Sequence, residues 1–141
     1  MKSIREIQDG IINDFLEMGD SFDQYAYLIE LSCMLPPLPE EAKRDENLVA
    51  GCQSSVWLDM RIENGAFYFR SDSNTLIIKG VLYILEQLLC GQSPGDVAAA
   101  ELDFLQKTAI MDTFESSRRK GLGFVIQSLK DFAQTHAQTA P

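Results

Sequence analysis

Histidine is almost missing from this chain, cysteine is scarce, and basic residues are outnumbered by acidic ones. The one histidine, His136, and three cysteines at positions 33, 52 and 90 with no Cys-x-x-Cys pair argue against a structural zinc site. An odd number of widely spaced thiols argues equally against a disulfide framework, so a reducing, cytoplasmic setting is expected. His136 reads as a solvated surface residue. The 12 lysines and arginines stand against 21 aspartates and glutamates, a formal charge of -9. Such a chain repels phosphate backbones and anionic bilayers on average, which argues against nucleic acid and membrane partners. Nor does any apolar run approach the roughly 18 to 20 residues of a membrane span, and Met1-Lys-Ser-Ile-Arg-Glu-Ile7 has no apolar stretch behind its basic residues. A soluble, untargeted protein is the expectation.

What is present is enough for one core: 141 residues fit a single domain, here 1–141, with a Thr, Gln, Ala and Pro tail from about residue 134 expected to be disordered. Ser3-Ile-Arg-Glu6 has capping-box spacing, and Ile4, Ile7, Ile11, Ile12, Phe15 and Leu16 follow at helical intervals. Ser21-Phe-Asp-Gln24 repeats the signal before a second helix that must stop near Leu35, ahead of Pro36 and Pro37. Leu35-Pro-Pro-Leu-Pro39 is a stiff connector, either docking a proline-binding partner or lying on the chain's own core. A charged turn, Glu40 to Glu46, leads to a brief strand over Asn47–Ala50. From Val56 the period is two, Val56, Leu58, Met60 and Ile62 on one face and Trp57, Asp59, Arg61 and Glu63 on the other. Asn64-Gly65 is a hairpin signal joining this strand to Ala66-Phe-Tyr-Phe-Arg70. Ser73 or Asn74 can cap a leucine-rich helix ended by Gly91, Ser93-Pro94 opens a short one, Leu102 to Met111 suggests another, and Ser116 or Ser117 caps the last. The class is α+β: a small three-stranded antiparallel sheet flanked by helices.

The residue that carries chemistry in this scheme is Cys52, in Asn47-Leu-Val-Ala-Gly-Cys-Gln-Ser-Ser-Val-Trp-Leu58. Its neighbours Gly51, Gln53, Ser54 and Ser55 belong to a turn, so the thiol stands at a loop tip. Cys33 lies on the apolar face of the second helix and Cys90 ends a leucine-rich one, which makes both core residues. Gly51 can adopt positive φ and admit a close approach, while Gln53 and Ser54 can donate hydrogen bonds to sulfur. Arg118 or Arg119 could supply positive charge, or both could be a solvated first turn. Asp72 could cap the following helix or help position the loop. Trp57 either packs under a helix on the sheet's second face or marks a docking surface, and Lys79-Gly80 lets helix and sheet pack closely.

Tyr25-Ala-Tyr-Leu-Ile-Glu-Leu31, Leu35-Pro-Pro-Leu-Pro39, Gly51-Cys-Gln-Ser-Ser-Val-Trp57, Ser71-Asp-Ser73, Ile78-Lys-Gly80 and Ser117-Arg-Arg-Lys-Gly-Leu122, taken in this order, resemble the SufE family over about residues 5 to 133. The resemblance implies a fold shared with SufE and iron-sulfur scaffold proteins. It implies a sulfur acceptor that takes sulfane sulfur from a pyridoxal-phosphate cysteine desulfurase, stimulates that enzyme and passes the sulfur toward iron-sulfur cluster assembly. Cys52 maps onto the acceptor cysteine. The implied partners are the desulfurase and a downstream assembly scaffold, with no cofactor bound by the chain itself, and the expected state is a monomer or weak homodimer. Asn74 and Lys120 depart from the family's frequent Asp and its Asn or Gln.

The implied step is a thiolate attack on a donor persulfide, analogous to thiol-disulfide exchange, and the loop is expected to shelter the product. Two other classes stay on the table: an iron-sulfur scaffold or metal-binding protein, which needs converging ligands, and a single-thiol redox protein, which needs a resolving cysteine or a base.

Overall fold

The computed structural model describes residues 2–139. Helix α1 (Ile4–Met18) opens with the expected capping box: Glu6 N–H donates to Ser3 Oγ, and Ser3 N–H donates to Glu6 Oε1, both at 3.1 Å. Helix α2 (Ser21–Ser32) is capped one residue earlier than the sequence suggests, by Asp20, whose carboxylate accepts from Asp23 N–H. Two turns carry the chain on to Leu35, and the proline connector then lies on the core, with Leu35 and Leu38 both buried.

The sheet has two strands among the described residues, not three. Strands β1 (Val56–Glu63) and β2 (Ala66–Ser73) form a hairpin in the register Val56↔Ser73 to Glu63↔Ala66. Asn64 and Gly65 turn it with φ of 52° and 79°, the two positive values that match a right-twisted hairpin. Where a third strand was expected, Asn47–Ala50 makes one isolated bridge, Leu48 to Trp57, and one bond from Val49 N–H to Val56 O. The cause is local. A tight turn over Asp45–Asn47 consumes Leu48 N–H in a bond to Asp45 O, and the chain must turn back at Gly51, so no ladder can extend.

Alternation along the hairpin then sorts the side chains. Val56, Leu58, Phe67 and Phe69 are buried toward the helices. The opposite face carries Asp59 paired with Arg70, and Arg61 over Tyr68. On that face the Lys43 ammonium stands over the Trp57 ring, 5.5 Å from its centre.

Helix α3 (Leu76–Leu89) is the central element, with Ile77, Ile78, Val81, Leu82, Ile84, Leu85, Leu88 and Leu89 buried. Gly80 serves a helix contact rather than a sheet contact: a Cβ there would stand 2.5 Å from Leu28 O of α2. Helix α4 (Pro94–Ala99) starts from Ser93 as expected. The single helix expected over Leu102–Met111 is broken into α5 (Phe104–Lys107) and a turn over Ile110–Thr113. Two buried glutamines hold this irregular stretch. Gln8 accepts from Phe104 N–H at 3.0 Å and donates to Glu101 O at 2.9 Å, while Gln24 accepts from Ala109 N–H at 2.7 Å. Helix α6 (Ser116–Thr139) packs Leu122, Val125, Leu129 and Ala133 inward. It continues well past residue 134, where a disordered tail was expected; residues 140–141 lie outside the described residues.

Candidate active site

Cys52 lies on the turn between Val49 and Val56, half-buried, and the loop is laid across one stripe of α6. Ser117, Gly121 and Phe124 are spaced four and then three residues apart, so they share a helix face. Each meets one residue of the loop. Ser117 Oγ donates to Gln53 Oε1 at 2.7 Å, the Cys52 thiol donates to Gly121 O at 3.4 Å, and the Phe124 ring stands over Gly51. Gly51 has φ of 87°, which favours glycine, and a Cβ added to it would lie 2.8 Å from Phe124 Cε2, so the ring would have to shift.

The other side of the loop is tied to the start of α3. Thr75 Oγ1 donates to Ser54 Oγ at 2.9 Å, Ser55 N–H donates to Asn74 Oδ1 at 3.2 Å, and Asn74 N–H returns a bond to Ser55 O. The amide oxygen of Asn74 does here what a carboxylate oxygen would do. Asp72 stands one step behind. Its buried carboxylate accepts from Ser73 N–H and meets Lys43 at 3.3 Å and Lys79 at 3.6 Å, which ties the charged turn after the connector, β2 and α3 together next to Asn74 and Thr75. It does not cap α3, whose N-terminus has no side-chain cap.

Beside the sulfur is a cavity of about 10 Å³ floored by Val56, Ile78, Leu122 and Val125, with Arg118 on its edge. A void of that size is about the space of one water centre. Burial pushes the Cys52 thiol above its ordinary value, and no cation or donor offsets the shift. The resting site therefore holds a protonated thiol.

The two arginines separate. Arg118 lines the cavity and makes no hydrogen bond or ion pair among the described residues. Arg119 is a structural residue, donating to Phe114 O at 3.2 Å and Met111 O at 2.9 Å to close the turn before α6. Gln53 and Ser54 do not donate to the sulfur; their side chains accept from Ser117 and Thr75 and so fasten the loop. Sequence reasoning missed Ser117, Gly121, Phe124 and Thr75. The sign available for the first three was a small, small, aromatic stripe, opposite in character to the Leu122, Val125 and Leu129 stripe of the same helix.

Cys33 is not a core residue. It is the C-cap of α2, still helical in backbone, and is exposed in line with the exposed Tyr25. Cys90 is partly buried against the core, its thiol donating to Phe69 O at 3.5 Å and held above its ordinary value, chiefly by burial. His136 is less solvated than expected, with Nδ1 2.9 Å from Phe132 O and its ring on Phe132. Among the described residues no three His, Cys, Asp or Glu side chains converge as a metal-holding group, and no helix is long and apolar enough to cross a membrane.

Known proteins resemble this chain in both sequence and shape. The family model for SufE, described as an Fe-S metabolism associated domain, matches residues 9–133. An uncharacterized SufE-like protein of Rhizobium etli is 33% identical over 134 residues, 92% of this chain and 90% of the relative. One from Rhizobium meliloti is 31% identical over 131 residues, 89% of this chain and 94% of the relative. The solution structure of a hypothetical protein from Thermus thermophilus superposes with a TM-score of 0.77, covering 95% of this chain and 97% of that one at 19% identity. At that identity the superposition speaks for the fold alone.

Proposed function

This chain belongs to the SufE family, a family of iron-sulfur metabolism, and from that membership we propose that it is a sulfur acceptor with Cys52 as its carrier. It takes sulfane sulfur from the persulfide of a cysteine desulfurase, stimulates that enzyme, and hands the sulfur to an iron-sulfur assembly scaffold. The observation that carries this reading is the setting of Cys52. It is a nucleophile at the tip of a loop fastened by a few side-chain bonds, stored as a thiol beside an apolar space one atom wide.

The geometry supports a sequence of states. At rest the thiol proton points to Gly121 O and the sulfur is shielded from solvent thiols and oxidants. When the partner displaces the loop from α6, Cys52 is hydrated, its acidity returns toward the ordinary thiol value, and the proton leaves to solvent. The thiolate attacks the outer sulfur of the donor persulfide. One sulfur-sulfur bond forms at Cys52, the bond in the donor breaks, and the donor cysteine departs as a thiolate, with no net oxidation or reduction. On return of the loop, the transferred atom occupies the space between Val56, Ile78, Leu122 and Val125.

The test is desulfurase turnover: alanine release from cysteine should rise when this protein is added and should not rise with Cys52→Ser. Equal stimulation by Cys52→Ser would remove Cys52 from the role.

A further inference from the structure

The stripe of α6 that holds the loop is bordered by two cations. On the helical wheel Arg118 and Lys120 fall on either side of Gly121, so they straddle the residue to which the Cys52 thiol is bonded. Neither makes a hydrogen bond or ion pair among the described residues. Elsewhere the basic side chains are largely neutralised, Arg5 by Asp9 and Asp103, Arg70 by Asp59, and Lys43 and Lys79 by Asp72. Arg118 is also placed where a helix gains least from a cation: it stands in the first turn of α6, which contains no acidic residue, and the helix macrodipole disfavours positive charge there.

Large apolar side chains stand open in the same region. Phe124, four residues on from Lys120, is 47% exposed although its ring covers Gly51; Leu76, next to the Thr75 that holds Ser54, is 57% exposed. The loop thus lies between an exposed phenyl and an exposed isobutyl group, with Arg118 on the edge of the Cys52 cavity and Lys120 one residue before Gly121 on α6. Apolar centres bordered by unpaired charge are the composition of a transient protein interface. In a chain of net charge -9, a patch of the opposite sign also directs encounter: an acidic partner is repelled by the rest of the surface and attracted here.

We propose that Lys120 and Arg118, with Phe124 and Leu76, form a docking rim that selects a desulfurase whose donor face carries carboxylates around an apolar centre. The proposal rests on the sulfur-acceptor reading and adds the chemistry of the partner's surface to it. Phe124 has two duties in this scheme. A partner that packs on its ring pulls it from Gly51, so docking and release of the loop are one event.

The test uses the intact protein, L-cysteine and a purified pyridoxal-phosphate cysteine desulfurase from the organism that makes this chain. The concentration of this protein giving half-maximal alanine release is measured for the native chain, Lys120→Gln and Lys120→Glu, at low salt and at about 0.3 M salt. Alkylation of Cys52 in the free variants reports whether the resting loop is intact. Lys120→Glu should raise the half-saturating concentration about 3- to 10-fold at low salt, with Lys120→Gln between, an unchanged maximal rate and unchanged alkylation. The native salt dependence should flatten in Lys120→Glu. Equal half-saturation for all three, or tighter association of Lys120→Glu, overturns the docking rim while leaving the sulfur-acceptor reading in place. Absence of any sulfur on Cys52 of the native protein overturns both.

Discussion

Gly51→Ala should open the Cys52 loop. Its φ of 87° lies in the region that costs a residue with a Cβ roughly 1–2 kcal/mol. The added methyl would also stand 2.8 Å from Phe124 Cε2, but that ring is 47% exposed and can swing aside, so the backbone term dominates. The strain belongs to the closed loop and is relieved when the loop leaves α6. A closed state raised by about 1–2 kcal/mol, at 1.4 kcal/mol per factor of ten, increases the open population about 5- to 30-fold. Iodoacetamide labelling at fixed pH, followed by peptide mass for Cys52 alone because exposed Cys33 also reacts, should accelerate by that factor. An unchanged or slower rate in a chain that still melts cooperatively would refute the view that the closed loop depends on positive φ at Gly51.

The pH profile of Cys52 labelling follows from burial, which raises its thiol in the closed state. A raised value means the closed loop binds the proton more tightly than the open one. Its contribution to closure is complete below the ordinary thiol value and is lost as pH rises through the raised one. Protection of Cys52, measured against a short cysteine peptide, should therefore be constant near neutrality and fall on the alkaline side; protection that grows with pH contradicts the assignment. Gln8→Ala should cost about 1–3 kcal/mol in denaturant melts, since it orphans the buried Phe104 N–H, while Glu101 O, on an exposed residue, can turn to water. A loss under about 0.5 kcal/mol, the range of ordinary surface changes, would show that water replaces the amide.

Much of this site was legible because local chemistry decided it. Gly51, Gln53 and Ser54 around one cysteine mark a turn whatever packs against it, and Asn64-Gly65 sets a hairpin by its own backbone preferences. The third strand was misread because Leu48-Val-Ala50 has strand composition, whereas its length was limited by a turn that used Leu48 N–H. Cys33 was misread for a different reason: its backbone is still helical, but it lies in line with Tyr25, which is itself 40% exposed, so this edge of the apolar stripe is left uncovered. Gln24 reads from the sequence as a capping-box residue and nothing marks Gln8, yet both are buried by partners some 85 to 96 residues away in sequence, a distance over which no periodicity carries information. The stripe of Ser117, Gly121 and Phe124 was hidden likewise, its meaning resting on a loop from the other half of the chain.

The central claim is that Cys52, rather than the more exposed Cys33 or the more buried Cys90, receives the sulfur. A desulfurase loaded once with cysteine, freed of excess substrate and mixed with this protein provides the direct measurement, with each cysteine-containing peptide weighed after trapping with an alkylating agent. One added sulfur on the Cys52 peptide and none on the other two is the predicted result. Sulfur on the Cys33 or Cys90 peptide, or on none, contradicts the account.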